Sequence, residues 1–220
     1  MSTALASIQE KIKQQLALAR GTVATPTAKT ISTRGKVFTL PTGQSSQGPL
    51  SAIILDWRNF NKYYTAAYNP QKPSPPDCFA ISAVIADMAP HELAAKPASE
   101  VCVSCTFNKF GSAPTGRGKA CRNTVRLAIV PADFGEETEP MVLNVSPTGI
   151  RPWSGYVNSL LVNELMPINM ITEISFDANA AYPTLLFKAV RPVGDKLEHA
   201  WRIREAAQAM LDAPPATDGD

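Results

Sequence analysis

The sequence predicts a mainly β fold with a few helices (α+β), arranged as a small Greek-key barrel, and three observations carry that prediction. Strand-like stretches run from about residue 36 to residue 191, with no place at which to cut them into two domains. Helical periodicity in this body is confined to one segment before the last strand pair and one after it, so the strand–helix alternation of a parallel sheet is missing. All four cysteines fall within residues 78–121, a knot inside that body.

Residues 5–20 place Leu5, Ile8, Ile12, Leu16 and Ala19 on a narrow apolar stripe at helical spacing, and Gly21 and Pro26 stop that helix. Thr22–Arg34 has the Thr, Ala and Ser composition of a linker, so residues 1–34 form an appendage of helix and flexible linker. The domain proper, residues 35–212, opens on a short strand at Lys36–Leu40, followed by turn signals at Pro41–Gly43 and Gly48-Pro49. Leu50–Trp57 is the clearest early strand, and its unbroken run Ala52–Leu55 predicts burial on both faces. From Phe60 to Pro76 aromatics and prolines crowd together, and regular structure is not expected after Asn69. Cys78–Ile85, Thr124–Val130 and Met141–Val145 read as strands, the last two separated by the acidic turn Phe134–Pro140. Trp153–Leu165 has a helical period and closes before Pro167, while Met170–Phe176 and Pro183–Val190 read as a hairpin pair. Asp195 caps a final helix over residues 195–212, and residues 213–220 form a disordered tail.

The 220 residues carry a net charge of only +2, but the charge is unmixed along the chain. No acid lies between Glu10 and Asp56, or between Glu100 and Asp133. The second interval holds Lys109, Arg117, Lys119, Arg122 and Arg126. Such segregation presents a cationic face to a polyanion even in a near-neutral protein. No run approaches the roughly 18 apolar residues of a membrane helix, and the N-terminus lacks a secretory pattern. A soluble, cytoplasmic protein with reduced thiols is therefore expected.

Cys102 and Cys105 form a CxxC pair, fifteen residues separate Cys105 from Cys121, and twenty-three separate Cys78 from Cys102. A CxxC turn brings two thiolates to one ion and two distant cysteines complete a tetrahedral shell, so the pattern points to one structural Zn2+ held by Cys78, Cys102, Cys105 and Cys121. Reduced cysteines without metal, an iron–sulfur cluster, and His91 in place of Cys78 are the alternatives that the spacing leaves open. A thioredoxin-like role is disfavoured, because the CxxC lies in a loop-forming sequence instead of at the start of a helix in a βαβ unit.

Residues 106–123 combine three glycines with Lys109, Arg117, Lys119 and Arg122 beside Phe107 and Phe110, a composition that needs a staple to hold a shape. Gly116-Arg-Gly-Lys119 suits a phosphate-facing turn, but Arg117 follows Gly116 where a nucleotide-binding P-loop has Lys, so nucleotide hydrolysis is not expected. Trp57, Phe60, Tyr63, Tyr64, Tyr68, Phe107 and Phe110 lie in sequence near Arg58, Lys62 and Lys109. Rings that stack on bases, with cations along the phosphates, are the physics of single-strand binding without sequence readout. The residues expected to touch nucleic acid are Arg58, Lys62, Tyr63, Tyr64, Lys109, Phe110, Arg117, Lys119 and Arg122. With only two histidines and no carboxylate pattern, the chain is not read as an enzyme.

The stretches Pro75-Pro-Asp-Cys-Phe-Ala-Ile81, Cys102–Cys105, Asn108–Ala113 with Gly118-Lys-Ala-Cys121, and Tyr182-Pro-Thr-Leu-Leu-Phe187 give the chain a resemblance to phage single-stranded-DNA-binding (helix-destabilising) proteins. That resemblance implies an OB-like Greek-key barrel with a zinc-binding insertion, sequence-independent coating of single-stranded DNA in replication or recombination, and residence in the host cytoplasm. It also implies replication or recombination proteins and further copies of the chain as partners, with no membrane. The cysteine spacing differs from the family's, and only Asp218 and Asp220 charge the tip of the tail. The alternative reading is a phage adaptor or structural protein whose zinc-stapled loop holds protein partners.

Overall fold

A continuous apolar run flanked by alternating residues builds the strand on which everything else hangs. The computed structural model describes residues 29–66, 71 and 74–215; the helix expected over residues 5–20, Tyr68 and the end of the tail lie outside them. In chain order the strands are β1 (Thr30–Ile31), β2 (Phe38–Thr39), β3 (Ser45–Ser46), β4 (Leu50–Tyr63), β5 (Cys78–Ser82), β6 (Arg122–Pro131) and β7 (Met141–Val145). Helix α1 (Ile150–Leu161), strands β8 (Met170–Phe176) and β9 (Leu185–Pro192), and helix α2 (Leu197–Asp212) complete the fold. The sheet runs β1-β7-β6-β4-β8-β9, with β5 added beside the far end of β4. All its pairings are antiparallel except the parallel contact of β1 with β7.

The mixed architecture, mostly strands with two helices, agrees with the α+β class. No closed barrel is present among the described residues: the sheet stays open between β1 and β9. Thr30–Ile31, within the stretch expected to be a linker, is instead a sheet edge with Ile31 fully buried.

β4 is six residues longer than the strand expected from its apolar run, ending at Tyr63 and not at Trp57. Pairing with β6 and β5 overrides the weak local pattern there, as tertiary contacts commonly do. A bulge between Ile54 and Asp56 leaves Leu55 as the extra residue. The run Ala52–Leu55 is buried on both faces as expected. Ala52 and Ile54 enter a core with Val125, Leu127, Ile129, Leu143 and Val145, closed by Trp153, Tyr156, Val157 and Leu160 of α1. Ile53 and Leu55 face the other way, into a core with Ala128, Val130 and Ile171, covered by Ala200, Ala207 and Leu211 of α2. Burial pushes the Tyr156 phenol's pKa up, and the phenol is hydrogen-bonded to Thr172 at 2.5 Å.

The turn Pro147–Gly149 brings α1 against the sheet, and it needs a glycine. A Cβ on Gly149 would stand 2.9 Å from Val145 Cγ1 and 3.6 Å from the Leu185 amide nitrogen. Gly149→Ala is therefore expected to cost about 1–3 kcal/mol through overpacking, read as a lowered midpoint in urea unfolding with an unchanged slope.

Candidate metal centre and nucleic-acid interface

Strand alternation divides the far half of β4 into two faces with different chemistry. Directly paired residues of antiparallel strands share a face, and the register sets Arg58 against Arg126, Phe60 against Thr124 and Lys62 against Arg122. The other face carries Asn61 against Asn123, and Asn61 and Tyr63 against Ala80 and Cys78 of β5. The basic row and the side chains of Asn61, Tyr63, Ala80 and Cys78 thus lie on opposite faces of one sheet.

On the cysteine side, Cys78 opens β5, Cys121 stands just before β6, and Cys102 and Cys105 lie in the connecting turns. The Cys105 amide donates to the Cys102 carbonyl at 3.4 Å and the Asn108 amide to the Cys105 carbonyl at 3.0 Å, which makes a tight CxxC turn. The Cys121 amide donates to the Phe107 carbonyl at 2.8 Å and brings the fourth cysteine back. All four are unbridged and buried, and they line one partly open cavity together with Asn61, Tyr63, Phe107 and Asn108. Burial, reinforced by the neighbouring Cys102, Cys105 and Cys78, pushes the Cys121 thiol up to about 12, against the pull of Lys119. Burial likewise raises Cys102, whose sulfur accepts a hydrogen bond from the Asn61 side chain.

Among the described residues, no group of three or more His, Cys, Asp or Glu side chains could hold a metal ion as the side chains stand. The donor set nevertheless suits a soft or borderline ion: four thiols share one cavity and no carboxylate lines it. His91 is not among the lining residues. Its ring stacks on Phe79 at 4.9 Å, and its Nδ1 accepts from the Leu93 amide.

The loop between Cys105 and Cys121 holds more of its own shape than its composition predicts. Ser112 Oγ donates to the Phe107 and Lys109 carbonyls and accepts from the Ala120 amide, while the Gly111 amide reaches the Gly118 carbonyl at 2.7 Å. Gly111 and Gly118, at φ of +88° and +81°, supply the left-handed backbone that this closure requires. Lys109, Arg117 and Phe110 are exposed on this loop, Phe110 at 84%. Arg122 is exposed where the loop enters β6. Lys119 is drawn inward, 3.1 Å from Asn108 Oδ1 and 2.8 Å from Asn123 Oδ1.

The other predicted contacts lie elsewhere. Tyr63 stacks on Phe107 at 4.3 Å, which ties β4 to the loop, and half-buried Tyr64 follows it. Lys62 lies 5.9 Å from the Phe60 ring. Arg58 is only 12% exposed and makes a two-pronged ion pair with Asp212 at the end of α2. Beside it Arg126, which the sequence reading did not select, covers the Phe60 ring at 3.8 Å and donates to the Leu211 and Ala213 carbonyls. Burial opposes the Arg58 charge, but Asp212 and Asp56 outweigh it and raise the guanidinium's pKa. Asp77, next to Cys78, is held at about 2, chiefly by the Thr65 amide and then by Lys96 and the Thr65 hydroxyl.

Asn61, Asn108, Ser112 and Asn123 were missed in the sequence, where uncharged amides and a serine carry no signal beyond their closeness to the cysteines. No helix among the described residues is long and apolar enough to cross a membrane. No protein-family model, curated protein or solved structure matches the chain.

Proposed function

We propose that the chain binds single-stranded DNA without sequence readout, on a cationic and aromatic loop stapled by one zinc ion at Cys78, Cys102, Cys105 and Cys121. The observation that carries the reading is the exposed Phe110 ring beside exposed Lys109, on a loop that also exposes Arg117 and leads into β6 at exposed Arg122. An exposed ring among cations suits base stacking combined with phosphate neutralisation. The strand order adds support. β7-β6-β4-β8-β9, with a helix between β7 and β8, is the order of an OB-like barrel left open between β7 and β9. In such barrels the face of the second and third strands, here β6 and β7, and the loop joining the first two strands bind oligonucleotides. Here that loop is the cysteine lobe.

Anisotropy of a labelled oligodeoxythymidylate titrated in rising salt tests the reading. Log affinity should fall linearly with log salt, and the triple change Lys109→Ala, Arg117→Ala, Arg122→Ala should flatten the slope by about 2. Phe110→Ala should cost about 1–3 kcal/mol of binding. A wild type that does not bind at low salt, or binds with no salt dependence, sinks the proposal. The cysteine lobe also exposes Ile85, Leu93 and Val103 at 66%, 64% and 69%, which favours a protein-partner adaptor as the second reading. Under that reading the triple variant behaves as wild type in every partner assay.

A further inference from the structure

The cation drawn inward from the loop has a role that its exposed neighbours do not share. The Lys119 ammonium is held by two amide oxygens, Asn108 Oδ1 at 3.1 Å and Asn123 Oδ1 at 2.8 Å, and lies 5.5 Å from the Phe110 ring. Each amide turns its nitrogen toward the cysteine wall. Asn108 Nδ2 donates to the Cys102 carbonyl at 2.8 Å, and Asn123 Nδ2 donates to Asn61 Oδ1 at 2.6 Å. Asn61 is 6% exposed and in turn donates to the Cys102 sulfur. Because Asn108 and Asn123 each use both ends of the amide, neither can flip without losing two bonds. A long, entropy-rich side chain is thus fixed with neutral acceptors around it, its charge within electrostatic reach of Cys121.

A tetrathiolate zinc centre carries two negative charges into a buried site, and a buried anion needs a compensating cation. Hydrogen bonds and charges behind the ligands govern metal affinity to a degree comparable with the ligands' own arrangement. We propose that Lys119, oriented by Asn108 and Asn123, is the fixed counter-charge of a zinc centre at Cys78, Cys102, Cys105 and Cys121, and that it is a positioning residue and not a phosphate contact. This inference rests on the zinc reading above, and its test separates the two.

Zinc affinity is measured on the full chain by competition with a chromophoric chelator at one fixed pH, with the DNA salt slope of the zinc-loaded protein as the second readout. Lys119→Met should weaken zinc binding about 10–100-fold while leaving the salt slope unchanged. Lys119→Arg should recover most of the affinity, and Lys109→Met, which removes an exposed cation of the same loop, should leave zinc affinity at the wild-type value. If the Met variant misfolds, Lys119→Gln, which keeps a donor to both amides but no charge, gives the same reading. A wild type that takes up one zinc, with Lys119→Met equally tight, overturns the inference alone, as does a slope that falls by about 0.7 with zinc affinity intact. A wild type that binds no zinc overturns the metal reading and the inference together.

Discussion

Cys121→Ser is expected to leave the chain without zinc and to open residues 83–121 to protease while the main sheet stays folded. The lobe has little apolar core to hold it. Its apolar clusters are Phe60, Phe79 and Ala94 on one side, and Ala80, Met88 and Cys102 on the other. The principal core, by contrast, gathers fifteen buried residues around α1. Apparent binding energies of structural zinc in small peptides are about 10–16 kcal/mol, far more than two such clusters supply, so losing one ligand should release the lobe. Without a metal, the same substitution merely exchanges sulfur for oxygen at a buried site and should cost about 1–3 kcal/mol with the lobe intact. Metal content by mass spectrometry and mapped limited proteolysis decide between these outcomes. One zinc per chain in the wild type, none in the variant and new cleavages confined to the lobe are expected. A chelator should reproduce that pattern in the wild type and add nothing in the variant, because the two perturbations act on one centre.

The contrast between that lobe and the sheet explains what the sequence made legible. The run Ala52–Leu55 announced a strand buried on both faces, and it is one, because a short continuous apolar run is best covered from both sides. The clustering and spacing of the cysteines brought four distant positions to one cavity, since few other patterns keep that spacing. The division of the binding residues was not legible. Arg58 and Lys62 alternate with Asn61 and Tyr63 along β4, and only the pairing with β6 and β5 decides that the first pair faces α2 while the second faces the cysteines. The extension of β4 to Tyr63 escaped for the same reason: its stabilisation comes from pairing with β6 and β5 instead of from its own pattern. Lys119 and Arg117 look alike in a basic loop, and their separation into inward and outward cations depends on two asparagines whose side chains are ambiguous until the fold places them.

Asp56→Ala should lower stability by about 2–4 kcal/mol. The bulge in β4 turns this carboxylate into the seam between the sheet and α2, where it is 6% exposed. It accepts from the Trp57 amide at 2.8 Å, from Gln208 Nε2 at 2.7 Å and from Arg204 at 2.9 Å, with Arg58 at 3.5 Å. Removing it leaves two arginines and an amide facing a hole, and that desolvated remainder, more than the lost attraction, sets the cost. Asp212 continues to serve Arg58, which keeps the loss below the upper end of the range for a buried pair. The seam also solves a problem in the sheet. Arg58 and Arg126 are directly paired like charges, an arrangement that destabilises two strands unless something neutralises it. Here Asp56, Asp212 and the last carbonyls of α2 take that charge, and Arg126 in turn satisfies the helix C-terminus. Asp212→Ala, at a half-exposed carboxylate, should therefore cost less than about 1 kcal/mol, whereas Asp56→Ala should lower the melting temperature by roughly 5–12 °C. Equal effects of the two substitutions would mean that the buried carboxylate is not what fastens α2 to the sheet.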